Sequence, residues 1–268
     1  MWKPVRRSFL FLSLAALLSG VAFAQLAAPN AAGVAMGHVH LTVNDVEADK
    51  KLWIELGGTS LRKYGNDEVI GISGMLVILK KGAPSGGSEG SVVNHIAVRV
   101  PHVQESVARW QAAGVKTEPG SRPTEGWVIT PDGLRIQVLE DASLTTPIAM
   151  DHMQFSVEEA SLPQIEAWYV KTFGVKPDNH GTIKNGDLPG AHLHFRIVDT
   201  AALPTKGRTL DHIGFEIKDL ETFCKKLEAN GVKIERPYAK RPDLGAAIAF
   251  ISDPWGTYID LTEGMNHR

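Results

Sequence analysis

The chain has 268 residues, 43% hydrophobic and 22% charged, with a single cysteine and a formal net charge of −2. That balance excludes a low-complexity or disordered polymer, a disulfide scaffold, and a nucleic-acid binder working through a basic surface. Roughly 240 residues follow the N-terminal segment, enough to bury the cores of two domains without covalent staples.

Residues 1–24 combine a basic start (Lys3, Arg6, Arg7), an apolar run from Phe9 to Leu18 and the small-residue triplet Ala22-Phe23-Ala24. This is the pattern of a secretory signal peptide cleaved near Ala24, so the mature protein is expected to be periplasmic or secreted. Losing three cations and no acids moves the net charge from −2 to −5. Such a charge predicts no nucleic-acid partner and no stable membrane association after signal removal. Residues 25–36 read as a flexible leader. Cys224 falls on an apolar helix face and is expected to be a small core residue.

Four similar units follow. The first opens with Gly37-His38-Val39-His40-Leu41-Thr42-Val43, in which His38, His40 and Thr42 share one face and Val39, Leu41 and Val43 the other. A helix ending at Gly57-Gly58 and a strand over Met75 to Lys80 complete it. A Gly/Ser/Pro-rich connector then leads to Asn94-His95-Ile96-Ala97-Val98, a helix stopping at Gly114, and a last strand after the turn Thr130-Pro131-Asp132-Gly133. The third unit starts at Asp151-His152-Met153-Gln154-Phe155, has a helix capped by Ser161 and ended by Gly174, and closes with His192-Leu193-His194-Phe195-Arg196-Ile197. In the fourth, Asp211-His212-Ile213-Gly214-Phe215-Glu216 leads to a helix with Asp219 as N-cap and Leu220, Phe223, Cys224 and Leu227 on one face. The turn Asp253-Pro254-Trp255-Gly256 precedes its last strand, which carries Tyr258 and Asp260 on the polar face.

The lead histidines, His38, His95, His152 and His212, are 57, 57 and 60 residues apart. A unit of ~57 residues buries too little to stand alone, so the units are expected to pair. Aromatic-rich helices in units one and three, and Ala-Ala-Gly-Val-Lys or Ala-Asn-Gly-Val-Lys endings in two and four, indicate a duplicated pair. The expected fold is therefore α+β, four βαβββ modules in two domains with curved mixed sheets. Residues 37–145 are expected to form an N-terminal pair and residues 148–265 a C-terminal pair.

Four βαβββ units, each led by a histidine at a strand start, with Thr-Pro-Asp-Gly and Asp-Pro-Trp-Gly before last strands, resemble the vicinal oxygen chelate superfamily. That superfamily includes glyoxalases, extradiol dioxygenases and bleomycin-resistance proteins. The resemblance implies a cup in each paired sheet, with one divalent ion (Fe, Mn, Zn or Ni) held by residues of first and last strands. Carried across, the metal ligands are His152, His212 and Asp260, with Asp260 standing where the family places Glu. The resemblance puts His194 at a further ligand position, as a fourth ligand or an acid/base group. Glu216 is a candidate base, and Arg196 and Tyr258 are candidate substrate contacts. His38, His95 and Gln137 occupy the corresponding places of the N-terminal pair, without a carboxylate, and are expected to form a lapsed site.

The implied activity is a lyase/isomerase or dioxygenase reaction on a small oxygen-rich substrate chelated to the ion. Phe250 stands where ring-cleaving members carry Tyr. The alternative is a metal-free small-molecule binder of the bleomycin-resistance type. The sequence leaves a homodimer open.

Overall fold

The structure is a computed structural model and describes residues 26–178 and 184–267. The signal peptide expected at residues 1–24 lies outside the described residues. Among the described residues, no helix is long and apolar enough to cross a membrane.

Each unit folds as the alternation predicts. Unit one comprises β1 (Val34–Val43), α1 (Val46–Glu55), β2 (Thr59–Ser60), β3 (Glu68–Ile72) and β4 (Met75–Lys81). Unit two comprises β5 (Val93–Val100), α2 (Val103–Ala112), β6 (Thr117–Pro119), β7 (Glu125–Ile129) and β8 (Arg135–Glu140). Unit three has β9 (Ala149–Val157), α3 (Leu162–Phe173), β10 (Lys176–Asp178), β11 (Lys184–Leu188) and β12 (Ala191–Ile197). Unit four has β13 (Leu210–Ile217), α4 (Leu220–Ala229), β14 (Ile234–Arg241), β15 (Ala246–Ser252) and β16 (Tyr258–Glu263). Asp219 caps α4 by accepting from the Thr222 N–H, and Gly174 ends α3 in the left-handed conformation at φ 66°.

The strands form two eight-stranded mixed sheets. One runs β14-β15-β16-β13-β1-β4-β3-β2 and the other β10-β11-β12-β9-β5-β8-β7-β6. Unit one therefore pairs with unit four, and unit two with unit three. This corrects the expected pairing of residues 37–145 and 148–265 as consecutive halves. The joining edges are first strands, β1 antiparallel to β13 and β5 antiparallel to β9. Hydrophobic alternation fixes which face of a strand is buried, but every first strand offers the same free edge, so periodicity does not choose the partner.

The leader is also corrected. Leu26 is buried against Tyr64, Val69 and Leu76, and β1 already starts at Val34. Asn30 anchors the segment by donating from Nδ2 to the Phe173 carbonyl, 2.9 Å.

One continuous core lies under the apolar faces of both sheets, with Trp53, Trp110, Phe155, Phe173 and Phe215 all inaccessible to water. Phe173 of unit three meets Phe215 of unit four with ring centroids 4.6 Å apart. The Tyr169 hydroxyl donates to Asp253 Oδ2 at 2.9 Å, joining α3 to the turn before β16. Cys224 is buried in α4, and burial pushes its thiol up to about 11.

Helix α1 buries Asp49 completely, and neither carboxylate oxygen has a partner. Burial, reinforced by Asp132 and Asp45, pushes its pKa up to about 7. An unfolded aspartate ionises near 3.9, so the folded state holds an extra proton across this window and stability falls as pH climbs from about 4 to 7. Asp49→Asn is expected to melt at least ~3 °C above the parent at pH 8 and level with it near pH 4, by circular dichroism. A lower melting point at pH 8 would contradict this.

Candidate metal centre

The sheet of units one and four gathers histidines from both ends of the chain. In the β1–β13 ladder His40 faces His212, and His38 faces Gly214. In the parallel β13–β16 ladder Gly214 faces Asp260. His38, Gly214 and Asp260 thus lie in one row across three strands, with His40 and His212 in the adjacent row. From His38 onward in β1, from His212 onward in β13, and in β16, even-numbered residues lie on the cup face and odd ones on the core face; before the bulge at Gly37 the parity of β1 is reversed, with Val34 and Met36 in the core.

Ring nitrogens of His38, His40 and His212 all lie within 4.8 Å of one another. Asp260 Oδ2 is 3.5 Å from His38 Nε2 and 3.8 Å from His212 Nε2. All four side chains are buried. Gly214 is what admits His38: a Cβ there would stand 2.1 Å from His38 Cε1.

These donors are not satisfied by protein. His38 Nδ1 and Nε2, His40 Nε2, His212 Nε2 and Asp260 Oδ1 are buried without a hydrogen bond. Each such orphan costs about 1–3 kcal/mol, so five in one place mark a site built for a ligand. His212 Nδ1 donates to Asp211 Oδ1 at 2.6 Å, which leaves the Nε2 lone pair facing the cluster. Burial, with His40 next, lowers the His212 pKa to about 4, although Asp211 and Asp260 pull the other way. At neutral pH the ring is a neutral donor. Burial alone would raise Asp211, but the hydrogen bond and charge of His212 bring it below the usual carboxylate range. Three imidazoles within 4.8 Å of one another, with a carboxylate 3.5 and 3.8 Å from two of them, are a donor set that a divalent ion could draw together.

Above the cluster opens a cup of about 700 Å³. Its wall includes Phe250 and Tyr258, stacked at 5.1 Å, each beside His212. Burial raises the Tyr258 pKa, so its hydroxyl keeps its proton at neutral pH.

The expected ligand trio is not brought together. His212 and Asp260 meet, but His152 lies on β9 in the other sheet, where its partners are His95 and His194. Ring centroids are 5.7 Å apart for His95 and His152, and His152 and His194 stack at 3.8 Å. Gln137 lies on β8, in register with Ala97 of β5, and Ala97 in turn faces His152. Arg196 is an exposed residue of that same sheet, away from the His212 cup. His38, placed with a lapsed site from sequence, is instead in the cluster with His212. The reason is the exchanged pairing of units.

Glu216 shares the polar face of β13 but does not open into the cup. Its Oε1 accepts from the Gly264 N–H at 2.8 Å and from Met265, and Oε2 accepts from the Thr262 hydroxyl at 3.1 Å. The carboxylate fixes the end of β16, and no oxygen is left for acid/base work.

In the second cup, burial and His152 lower His95 to about 3, and burial and His152 likewise lower His194 to about 4. The carboxylate beside them among the described residues is Asp151, which bonds His152 Nδ1 at 2.6 Å, and no last-strand acid stands where Asp260 joins His38 and His212. Among the described residues, only His38, His40 and His212 form a three-donor group so close.

Sequence reasoning missed His40 as a donor and Asp211 as the group that orients a ring. A signal existed. In Asn94-His95, Asp151-His152 and Asp211-His212 the lead histidine follows an Asn or Asp, and in each that first residue bonds the ring Nδ1, at 3.0, 2.6 and 2.6 Å.

The profile of the Glyoxalase/Bleomycin resistance protein/Dioxygenase superfamily matches residues 150–261. Units three and four thus carry the sequence pattern of this superfamily. The match spans units three and four, adjacent in sequence but in different sheets. Glyoxalase I from Zea mays is similar at a TM-score of 0.68 with 17% identity, covering 87% of this chain and 94% of that one. A putative dioxygenase from Bacillus subtilis subsp. subtilis str. 168 also superposes at 0.68, with 14% identity over 90% of this chain and 86% of that one. At these identities the likeness establishes the fold. No curated sequence is significantly similar to the chain.

Gly214→Ala is expected to push the His38 ring out of the cluster while leaving the chain folded. Divalent-ion affinity should fall about 10- to 100-fold by calorimetry, the range seen when a ligand loses its orienting surroundings. Unchanged affinity would remove His38 from the site.

Proposed function

We propose that this protein is an exported metal-dependent enzyme acting on a small oxygen-rich molecule in the cup formed by units one and four. His38, His212 and Asp260 would hold one divalent ion, Fe, Mn, Zn or Ni, with His40 completing the set. The observation that carries this reading is the gathering of unpaired donors from His38, His40, His212 and Asp260 under the cup. When bound, such an ion supplies Lewis acidity toward substrate oxygens, the chemistry shared by lyase/isomerase and dioxygenase members.

The chain's own residues do the rest. Asp211 keeps His212 in the tautomer that presents Nε2. Phe250, Ile248 and Tyr258 form an apolar wall beside the donors and keep water from one side of the substrate. The Tyr258 hydroxyl, protonated at neutral pH, is a hydrogen-bond donor toward a substrate oxyanion. Export rests on the pattern of residues 1–24.

A second reading, a metal-free binder, draws on the same apolar wall and the same 700 Å³ cup. Elemental analysis after chelator-free purification separates the two. About one divalent ion per chain is expected in the parent and in His152→Ala, with loss in His38→Ala and His212→Ala. A substrate screen on the loaded protein should then find turnover abolished in the last two. Metal retained in His212→Ala but lost in His152→Ala would move the site to the other cup, and no metal under any loading would favour the binder.

A further inference from the structure

The cup carries cations that the metal reading leaves unexplained. The Arg236 guanidinium carbon lies 4.5 Å from the Phe250 ring centroid, and Lys206 Nζ lies 4.1 Å from that of Tyr258. Lys206 is neutralised by Glu235 at 3.0 Å and Arg241 by Asp243 at 2.6 Å. Arg236 and Lys80 also line the cup but have no ion-pair partner among the described residues.

Charge balance points the same way. Four lysines and arginines line the cup against four aspartates, and Glu235, which neutralises Lys206, adds a fifth carboxylate. A divalent ion would therefore leave one positive charge uncompensated, and in a partly enclosed pocket it favours an anionic occupant. Position matters too. One aromatic ring separates Arg236 from the donors, since the Phe250 centroid is 5.4 Å from that of His212. Held over that ring, the guanidinium offers a planar fork suited to a carboxylate.

We propose that the substrate carries an anionic group, a carboxylate or its equivalent, at the end remote from its chelating oxygens. Arg236, with Lys80, reads that group about one ring's breadth from the metal donors. The middle of the substrate is planar or apolar and lies along Phe250 and Ile248. This deepens the metal reading and rests on it.

The probe pair is catechol and 3,4-dihydroxybenzoate, which share their vicinal oxygens and differ in a remote carboxylate. Both are titrated calorimetrically into the metal-loaded, chelator-free protein, with metal content measured on the same samples. The carboxylate is expected to tighten binding at least tenfold. Arg236→Gln should remove most of that preference and leave catechol binding unchanged. Arg236→Lys should keep part of it, and Lys81→Gln, a neighbouring charge outside the cup, should keep all of it. Equal affinity for the two probes, or a preference that survives in the Arg236→Gln/Lys80→Gln double variant, overturns the inference. A loaded protein that ignores the carboxylate sinks this inference alone, and a protein that takes up no metal sinks the metal reading and this inference together.

Discussion

The structure depends on one contact, the antiparallel pairing of β1 with β13 through the centre of a sheet. It makes neighbours of His40 and His212, which are 172 positions apart in the chain. It also lays His38 over the one residue without a side chain in its row, Gly214, and so against Asp260. Sheet register has a period of two, so a slip of a single residue would turn every one of these imidazoles into the core. The apolar faces prevent that slip. Val39, Leu41, Ile213 and Phe215 are all fully buried on the opposite side.

That arrangement sets core stability against site chemistry. Packing of the aromatic helices and cross-unit ties such as Tyr169 to Asp253 hold the two sheets together. The same rigidity keeps five donor atoms buried and unpaired, a state that a fold tolerates only when the rest of it over-determines the geometry. The two cups share a lead histidine oriented by an Asp or Asn before it and differ beyond that. One has Asp260 against its histidines. The other has His152 stacked on His194, whose pKa burial lowers to about 4, with Gln137 in register nearby and, among the described residues, no acid contributed from a last strand.

The unit boundaries, the helix caps and the polar faces of the strands were all legible, because capping and two-residue alternation are local properties. Asp219 caps and Gly174 stops where the pattern says they should. His212 and Asp260 were legible as facing residues because both belong to one unit, joined by the β13–β16 ladder. The third partner was not legible. His38 and His152 head identical strands, and only the tertiary choice of edge decides which of them meets His212. Glu216 shows the complementary limit: parity placed it on the polar face, but its capture by the Gly264 and Met265 N–H groups depends on a turn after β16. Leu26 shows it again, since a short polar-flanked segment gives no local sign that it will be buried.

The central claim, that the working site joins the first unit to the last, can be tested by crystallography of the metal-loaded protein with data collected at the absorption edge of the ion. The account predicts a single anomalous peak within bonding distance of His212 Nε2 and Asp260, with His38 beside it. A peak between His152 and His194, or one shared between His152 and His212, would contradict it.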